Sequence, residues 1–248
     1  KGLITTNAIT SLYLTRRNLQ SISDFDGYNN IQLTSDNIEA VKHSDILILA
    51  VQPNHIENIL LDIKPYLNEK HVIISTITGF VIPKIENIIG TDHFIIRAMP
   101  NTAISVGKSM TCLCSNENGT KRIKIAEAIF NRLGTSIIIP EEKMQAATVI
   151  CASGIAFWMR LIRATTQGAI QLGFEAKEAQ ELAMQTCFGA ASLLIESGNH
   201  PEREIDRVTT PMGCTIEGLN EMEHQGLSSS LIKGIVTSFE KINQIKNS

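Results

Sequence analysis

The run DILILAVQP, residues 45–53, decides the fold of the N-terminal half. Six apolar residues follow Asp45 without interruption, and Pro53 then marks a turn. A strand that is apolar on both faces must be covered on both faces, which is typical of a parallel sheet between two layers of helices. HVIISTI at 71–77 has the same character. The two runs therefore predict neighbouring parallel strands in the core of an α/β domain.

Strand and helix patterns alternate on both sides of these runs, as they do in βαβ units. Further strands are predicted at 11–15, 93–99, 109–115 and 135–140. Helical patterns lie between the strands at 35–43, 55–67, 81–89 and 121–134. We predict a doubly wound, Rossmann-like domain over residues 1–139.

The expected opening of such a domain is missing from the sequence. A doubly wound domain begins with a strand, a Gly-rich turn and a helix whose N-terminus holds a pyrophosphate. No GxGxxG motif occurs, and KGLI at 1–4 resembles the end of that helix. We expect the first strand and its turn upstream of Lys1, with 11–15 as the second strand.

From Glu141 onward the β signal disappears. One long apolar helix is predicted over 141–173, a second over 176–197 and a shorter one after Pro201. The tail repeats apolar residues on one helical face, at Leu227, Leu231, Ile235, Phe239 and Ile242. We predict an all-α domain over residues 140–248, apolar enough to form a homodimer, with a larger assembly of dimers left open.

Composition narrows the possible partners. The net charge of −3 offers no basic patch, so nucleic acid is not expected. No uninterrupted apolar run reaches the ~20 residues that span a bilayer, so no membrane segment is expected. Five cysteines without CxxC spacing favour a reducing cytoplasm over a disulfide framework. The six histidines show no ligand spacing, so no metal site is predicted.

Turns after the predicted strands are candidate ligand sites, because ligands in open α/β sheets bind beyond the carboxyl ends of the strands. Arg16 and Arg17, in TRRN at 15–18, offer two cations where the 2′-phosphate of NADP would lie. A solvated turn is the alternative. AVQP at 50–53 and STITG at 75–79 are either cofactor turns or ordinary connections.

Two later loops carry polar groups in unusual density. In RAMPNTAISVG at 97–107, Asn101 and Thr102 either bind a ligand or satisfy the turn. In VTTPMGCTIEGL at 208–219, small and hydroxylic residues crowd between two helices, as expected of a loop that wraps a small ligand. Cys214 has no nearby histidine to activate it, so we read it as a small filler rather than a nucleophile.

Taken in order, these motifs resemble the pyrroline-5-carboxylate reductase family over essentially the whole chain. The resemblance rests on DILILAVQP, on RAMPNT with Gly107, on ASGIAF at 152–157 and on HPEREIDRVTTPMGCTIEGL at 200–219. It implies an NADPH-dependent enzyme, with NADH also possible, that transfers a hydride to the C=N bond of 1-pyrroline-5-carboxylate and forms L-proline.

The resemblance also assigns residues. Thr215 matches the threonine that hydrogen-bonds the ring nitrogen, and we take it as the catalytic residue. Thr210, Gly213 and Cys214 match the cradle of the substrate carboxylate, where convergent N–H groups require small residues. The positions along the cofactor path are Thr15, Arg16, Arg17, Ala50, Val51, Gln52, Thr76, Met99 and Asn101. In the family, the substrate loop lies against the nicotinamide at a dimer interface made by the helical domain.

Several positions depart from the family pattern. Gln52 replaces a usual Lys, Ile155 a Pro and Met212 a Gly, while Thr78 and Ala152 also differ from the common residues. These departures leave two alternatives open: a reductase of a related cyclic imine, or a non-catalytic dinucleotide-binding homologue. A hydroxy-acid reductase would need a catalytic Lys, and Lys143 and Lys177 are poorly placed for that role.

Overall fold

The computed structural model describes Leu3 and residues 10–247, and for residues 245–247 the backbone alone. These residues form two compact units. One contains the residues up to 153 together with those from 239 onward, and the other contains residues 154–238. The division of the chain at 139/140 stays a prediction.

The first unit contains two sheets, and the prediction of a Rossmann-like domain is confirmed. Its strands are β1 (Leu12–Thr15), β2 (Ile31–Thr34), β3 (Ile46–Leu49), β4 (Val72–Ser75), β5 (Phe94–Met99), β6 (Ser109–Ser115) and β7 (Gly134–Ile138). β1 and β2 pair as a two-stranded parallel sheet, and β3 to β7 form a five-stranded sheet in chain order. The sequence analysis did not predict β2.

Four α-helices connect these strands. They are α1 (Asn37–Lys42), α2 (Ile56–Ile63), α3 (Ile82–Ile89) and α4 (Ile123–Phe130). Asp36 caps α1, because its side chain accepts hydrogen bonds from the N–H groups of Ile38 and Glu39. Pro83 lies in the first turn of α3, where a missing N–H costs nothing.

The five-stranded sheet is mixed rather than wholly parallel. β3, β4 and β5 run parallel, β6 runs antiparallel to β5, and β7 runs parallel to β6. Only residues 100–108 connect β5 to β6, and a parallel crossover needs about a dozen residues or more. The short connection therefore forces the chain to turn back.

Both faces of the five-stranded sheet are covered, as the apolar runs predicted. Ile73 and Ile95 pack on the face that α2 and α3 cover, and Ile74 and Ile96 pack on the face that α4 covers. The edge strands β3 and β7 are exceptions. Ile46 and Ile48 of β3 are 38% and 42% exposed, because the described residues place no layer on that face, and Ile137 and Ile138 of β7 are 44% and 48% exposed.

β7 begins at a glycine that the sheet requires. Gly134 has a φ of +146° and pairs with Ser109 of β6. A Cβ at Gly134 would overlap the backbone of Ser109. Close approach of the two backbones at this point therefore depends on the absence of a side chain.

The remaining helices are α5 (Met144–Ala147), α6 (Gly154–Gln171), α7 (Ala176–Ser197), α8 (Pro201–Val208), α9 (Cys214–His224) and α10 (Leu227–Asn247). The predicted all-α character after Glu141 is confirmed. A π-helical stretch, Thr148–Ser153, joins α5 to α6, so the predicted long helix contains one widened turn.

Glu141–Gln171 is long and apolar enough to cross a membrane by length and composition alone. The sequence analysis considered only uninterrupted apolar runs. Gln145 and Arg160 interrupt this stretch but leave its mean hydropathy high, and the expectation of no membrane segment stays a prediction. The core helix of a soluble protein passes the same test, so the finding is weak evidence for a membrane.

The prediction about the first residues of the chain falls largely outside the description. Residues 1–4 were expected to end a helix, and of these only Leu3 is described, as helical. The strand expected upstream of Lys1 is not part of the sequence and stays a prediction.

Candidate functional site

The carboxyl ends of β3 and β4 are tied together at the predicted cofactor path. Ala50, Val51 and Gln52 follow β3 directly and are exposed. Thr76 follows β4, and both its N–H and its hydroxyl donate to the carbonyl of Leu49, at 3.0 and 3.1 Å. Two of the predicted turns therefore lie side by side at one edge of the sheet, as ligand sites of this fold do.

β5 ends beside them, at Met99. The next predicted residue, Asn101, is 8% exposed and uses its side chain within the protein. Its Oδ1 accepts from Ala103 N at 3.0 Å, and its Nδ2 donates to the carbonyl of Cys151 at 3.0 Å. Of the two interpretations of this loop, the structure supports the one in which the Asn101 side chain satisfies the turn.

Arg16 and Arg17 leave the end of β1 in the two-stranded sheet. The Arg16 N–H donates to the carbonyl of Thr34 at 3.2 Å, which continues the pairing of β1 with β2. Both side chains are exposed, and within the described residues neither forms an ion pair. Their guanidinium groups are therefore available to an anion at the carboxyl end of a strand.

A buried ion pair at the same edge of the sheet escaped the sequence analysis. Arg97 of β5 is 2% exposed, and its Nη1 lies 3.1 Å from Oε1 of Glu141. The same oxygen accepts a hydrogen bond of 2.7 Å from the N–H of Ile82, in the first turn of α3. Glu141 thus fixes the position of β5 relative to α3, next to the loop that contains Asn101.

In the second unit, the loop between α8 and α9 is shaped by one close contact. The Gly213 N–H donates to the carbonyl of Thr210 at 2.9 Å, which closes a tight turn. A Cβ at Gly213 would overlap the hydroxyl of Thr210. A side chain at 213 would therefore force Thr210 or the turn to shift, and the role of this loop as a cradle of small residues stays a prediction.

Met212, at the tip of this turn, has a φ of 56°, which is the left-handed region that favours glycine. Its side chain is 97% exposed. The departure from the usual glycine therefore changes the backbone preference at 212 and adds a side chain that is almost fully exposed.

Thr215 and Cys214 begin α9. Gly213 is the N-cap and supplies no side-chain hydrogen bond. The first N–H groups of a helix have no intrahelical partner and carry the positive end of the helix dipole. Within the described residues the hydroxyls of Thr210 and Thr215 make no hydrogen bond. The loop therefore presents free donors, suited to a carboxylate.

Thr209 differs from Thr210 and Thr215. Its hydroxyl donates to the carbonyl of Ile205 at 2.7 Å, so it belongs to the end of α8. Upstream, Glu204 accepts from Asn199 Nδ2 at 2.6 Å and pairs with Arg207 at 3.0 Å. The Asn199 hydrogen bond and the Arg207 charge lower the pKa of Glu204 despite its partial desolvation. These contacts stabilise α8, after which the loop to α9 begins.

Two family models match the sequence. The model described as pyrroline-5-carboxylate reductase dimerisation matches residues 141–245. The model described as NADP oxidoreductase, coenzyme F420-dependent, matches residues 1–79. Each half of the chain thus has a match of its own.

Curated relatives cover both halves. Pyrroline-5-carboxylate reductase 1 of Dictyostelium discoideum is 45% identical over 97% of this chain, and the chain spans 46% of that protein's length. Pyrroline-5-carboxylate reductase 2 of the same organism is 43% identical over 93% of this chain and 82% of its own length.

Solved structures agree in fold over nearly the whole chain. A pyrroline-5-carboxylate reductase from Coxiella burnetii has a TM-score of 0.91 at 29% identity, covering 98% of this chain and 92% of its own. Pyrroline carboxylate reductase of Plasmodium falciparum, with NADP bound, has a TM-score of 0.82 at 25% identity, covering 96% and 98%.

Proposed function

The chain belongs to the pyrroline-5-carboxylate reductase family, and on that premise we propose that it transfers a hydride from NADPH to the C=N bond of 1-pyrroline-5-carboxylate, forming L-proline. The observation that carries the proposal is the loop from Thr210 to Thr215. This loop contains two hydroxyls that make no hydrogen bond within the described residues, the first N–H groups of α9, and a tight turn in which the absence of a side chain at Gly213 leaves room for the Thr210 hydroxyl.

We assign this loop to the substrate. The N–H groups at the start of α9 hold the carboxylate, because several donors and a helix dipole converge on one anion. The Thr215 hydroxyl holds the ring nitrogen and orients the imine carbon toward the hydride donor. Cys214 contributes its backbone N–H and a small side chain rather than a nucleophile.

The first unit fits the cofactor. Ala50, Val51 and Gln52 are exposed after the end of β3, Thr76 follows β4, and Met99 ends β5. Bound NADPH supplies the hydride, and the protein supplies position and electrostatics. Arg16 and Arg17 bind the 2′-phosphate, which gives a preference for NADPH over NADH. Asn101 acts by shaping the loop after β5.

We also assign the apolar surface of the second unit to an interface between two copies of the chain. Trp158, Met159, Phe188 and Ile195 are between 59% and 82% exposed there. A surface this apolar is typical of obligate interfaces. The same interface covers the exposed apolar residues of α6, Gly154–Gln171. Light scattering at micromolar concentration should give a dimer or an assembly of dimers, and a monomer would contradict this assignment.

The test of the activity is NADPH oxidation by the purified full-length protein with 1-pyrroline-5-carboxylate, followed by absorbance and by detection of proline. Turnover that depends on the imine supports the proposal. Turnover with a different cyclic imine alone would move the substrate assignment. NADPH binding without turnover of any imine would indicate a non-catalytic homologue. The cytoplasmic location stays a prediction.

A further inference from the structure

Two cysteine sulfurs meet beneath the loop that follows β5. Cys112 of β6 is 1% exposed, and Cys151 lies in the π-helical stretch Thr148–Ser153 and is partly exposed. Their Sγ atoms are 3.8 Å apart. The proposed reaction does not use either sulfur, and Cys114, two residues along β6, has no such partner among the described residues.

We propose that Cys112 and Cys151 form an oxidative modification site, in which a peroxide converts the two thiols to an intramolecular disulfide. A disulfide needs an S–S distance of about 2.05 Å, so the sulfurs must approach by less than the width of one atom. Cys112 lies on a central strand packed on both sides. We therefore assign the movement to the π-helical turn that carries Cys151, which lies outside the sheet.

The chemistry assigns a role to each sulfur. The hydrogen bond from the Cys112 thiol lowers the pKa of Cys151 to about 7, against the opposing effect of burial. The pKa of Cys112 is raised by the same hydrogen bond and by burial. Cys151 is thus the thiolate that reacts first, and it is also the more accessible of the two.

The steps balance. The Cys151 thiolate attacks one peroxide oxygen, the O–O bond breaks, and a sulfenic acid and hydroxide form. The Cys112 sulfur then attacks the Cys151 sulfur, the S–O bond breaks, and the oxygen leaves as water. In total the two thiols lose two electrons and two protons, and the peroxide is reduced to two waters.

The disulfide would act on the loop after β5. The Cys151 carbonyl accepts the Asn101 Nδ2 hydrogen bond of 3.0 Å, and Asn101 also holds Ala103. Cys112 pairs with Met99 across β5 and β6. A displacement of either half-cystine would therefore change the position of residues 100–107. Because this loop ends the cofactor path, an effect on NADPH affinity is expected, and that part of the inference rests on the proposed function.

Peptide mapping tests the cross-link. The purified full-length protein is treated with hydrogen peroxide, denatured in the presence of N-ethylmaleimide to cap the remaining free thiols, and digested with trypsin. Cys112 is then released in peptide 109–121 and Cys151 in peptide 144–160. A cross-link between these peptides is expected in the unmodified protein, in Cys114→Ala and in the control Cys187→Ser. It should be absent in Cys112→Ala and in Cys151→Ser.

Two results would overturn the site. A cross-link that persists in Cys112→Ala would make Cys114 the partner, and Cys151 found as sulfinic acid without any cross-link would show that Cys112 cannot reach it. The initial rate should also rise as the pH increases through about 7, because only the thiolate reacts. A rate independent of pH between 6 and 8 would contradict the assigned thiolate.

The effect on the loop has its own readouts. Hydrogen exchange of residues 100–107 should change on oxidation and revert with dithiothreitol, and unchanged exchange in the cross-linked protein would overturn the coupling. The apparent Kd for NADPH should rise about fivefold or more, the low end of typical coupling between sites. If the reduced protein does not bind NADPH, the proposed function fails, while the cross-link and the exchange data still decide this inference.

Discussion

Arg97 and Glu141 are 44 residues apart in the chain, and their ion pair joins a side chain that is 3% exposed to one that is 26% exposed. The guanidinium is the more deeply buried partner, and its Nε has no hydrogen-bond partner among the described residues. Arg97 therefore depends on Glu141 for the compensation of its charge. The pair anchors the residue at which the β signal of the sequence stops.

Replacing Glu141 by Ala should destabilise the first unit. Breaking a buried ion pair costs about 3–5 kcal/mol, and we expect about 3 kcal/mol here because the Glu141 side chain is partly solvated. The first turn of α3 also loses the acceptor for Ile82 N. Urea unfolding should show a lower midpoint. Glu142→Ala, at the exposed adjacent position, is the control and should leave the midpoint unchanged. Equal midpoints for both variants would refute the anchoring role.

Cofactor choice depends on two exposed arginines. Replacing Arg16 and Arg17 together by Ala should raise the KM for NADPH and leave the KM for NADH nearly unchanged, because only NADPH carries the 2′-phosphate. The KM for NADPH should rise about tenfold or more. A hydrogen bond to a charged group contributes about 1.5–3 kcal/mol, and ~1.4 kcal/mol corresponds to a tenfold change in affinity. Steady-state kinetics with both cofactors measure it. If the unmodified protein uses NADH and NADPH equally well, the assignment is wrong.

Thr215→Ala should impair turnover without lowering stability. The hydroxyl makes no hydrogen bond within the described residues and is not the helix cap, which is Gly213. Its loss should cost on the order of 1–3 kcal/mol in the transition state, roughly a five- to 150-fold drop in kcat/KM. The control is Thr165→Ala, which removes a hydroxyl bonded to the Leu161 carbonyl in α6. Normal kinetics with a reduced melting temperature would instead indicate a structural role for Thr215.

Met212→Gly should stabilise the second unit slightly or leave it unchanged. The left-handed backbone at 212 costs a residue with a side chain about 1–2 kcal/mol, which glycine avoids. Glycine also has more conformational freedom in the unfolded chain, and this offsets part of the stabilisation. Met212→Ala keeps the backbone cost and removes the exposed side chain, so it separates the two effects. The melting temperature is the readout, and a lower value for Gly than for Ala would contradict the strain at 212.

Much of the fold could be predicted because both halves have clear apolar periods. The strands β3 and β4 and the helix Ala176–Ser197 follow directly from those periods, although only β4 is buried on both faces. β2 was missed because IQLT offers only four residues, although its apolar residues alternate with Gln32 and Thr34 as they do in a half-buried strand. The antiparallel direction of β6 follows from the short connection between β5 and β6, and the strand pattern alone does not predict strand direction.

The candidate site could be predicted in part. The turns after β3, β4 and β5 follow from the general rule for open α/β sheets, and the substrate loop follows from its small residues and the family resemblance. The pairing of Arg97 with Glu141 and that of Cys112 with Cys151 join residues 44 and 39 positions apart. A single sequence contains no periodic signal for such contacts. The sequence left open that Asn101 satisfies its own turn, but its hydrogen bond to the carbonyl of Cys151, 50 residues away, has no sequence signal.

Gly134 limits which substitutions this sequence can accept in the pairing of β6 with β7. Most loop glycines of the chain could accept a side chain into open space, although several would strain the backbone. At 134 the obstacle is the main chain of Ser109, which every residue at position 109 retains. No second-site suppressor at 109 can therefore relieve a substitution at 134. Genetic selection for revertants of Gly134→Ala should return glycine itself rather than compensating changes in β6.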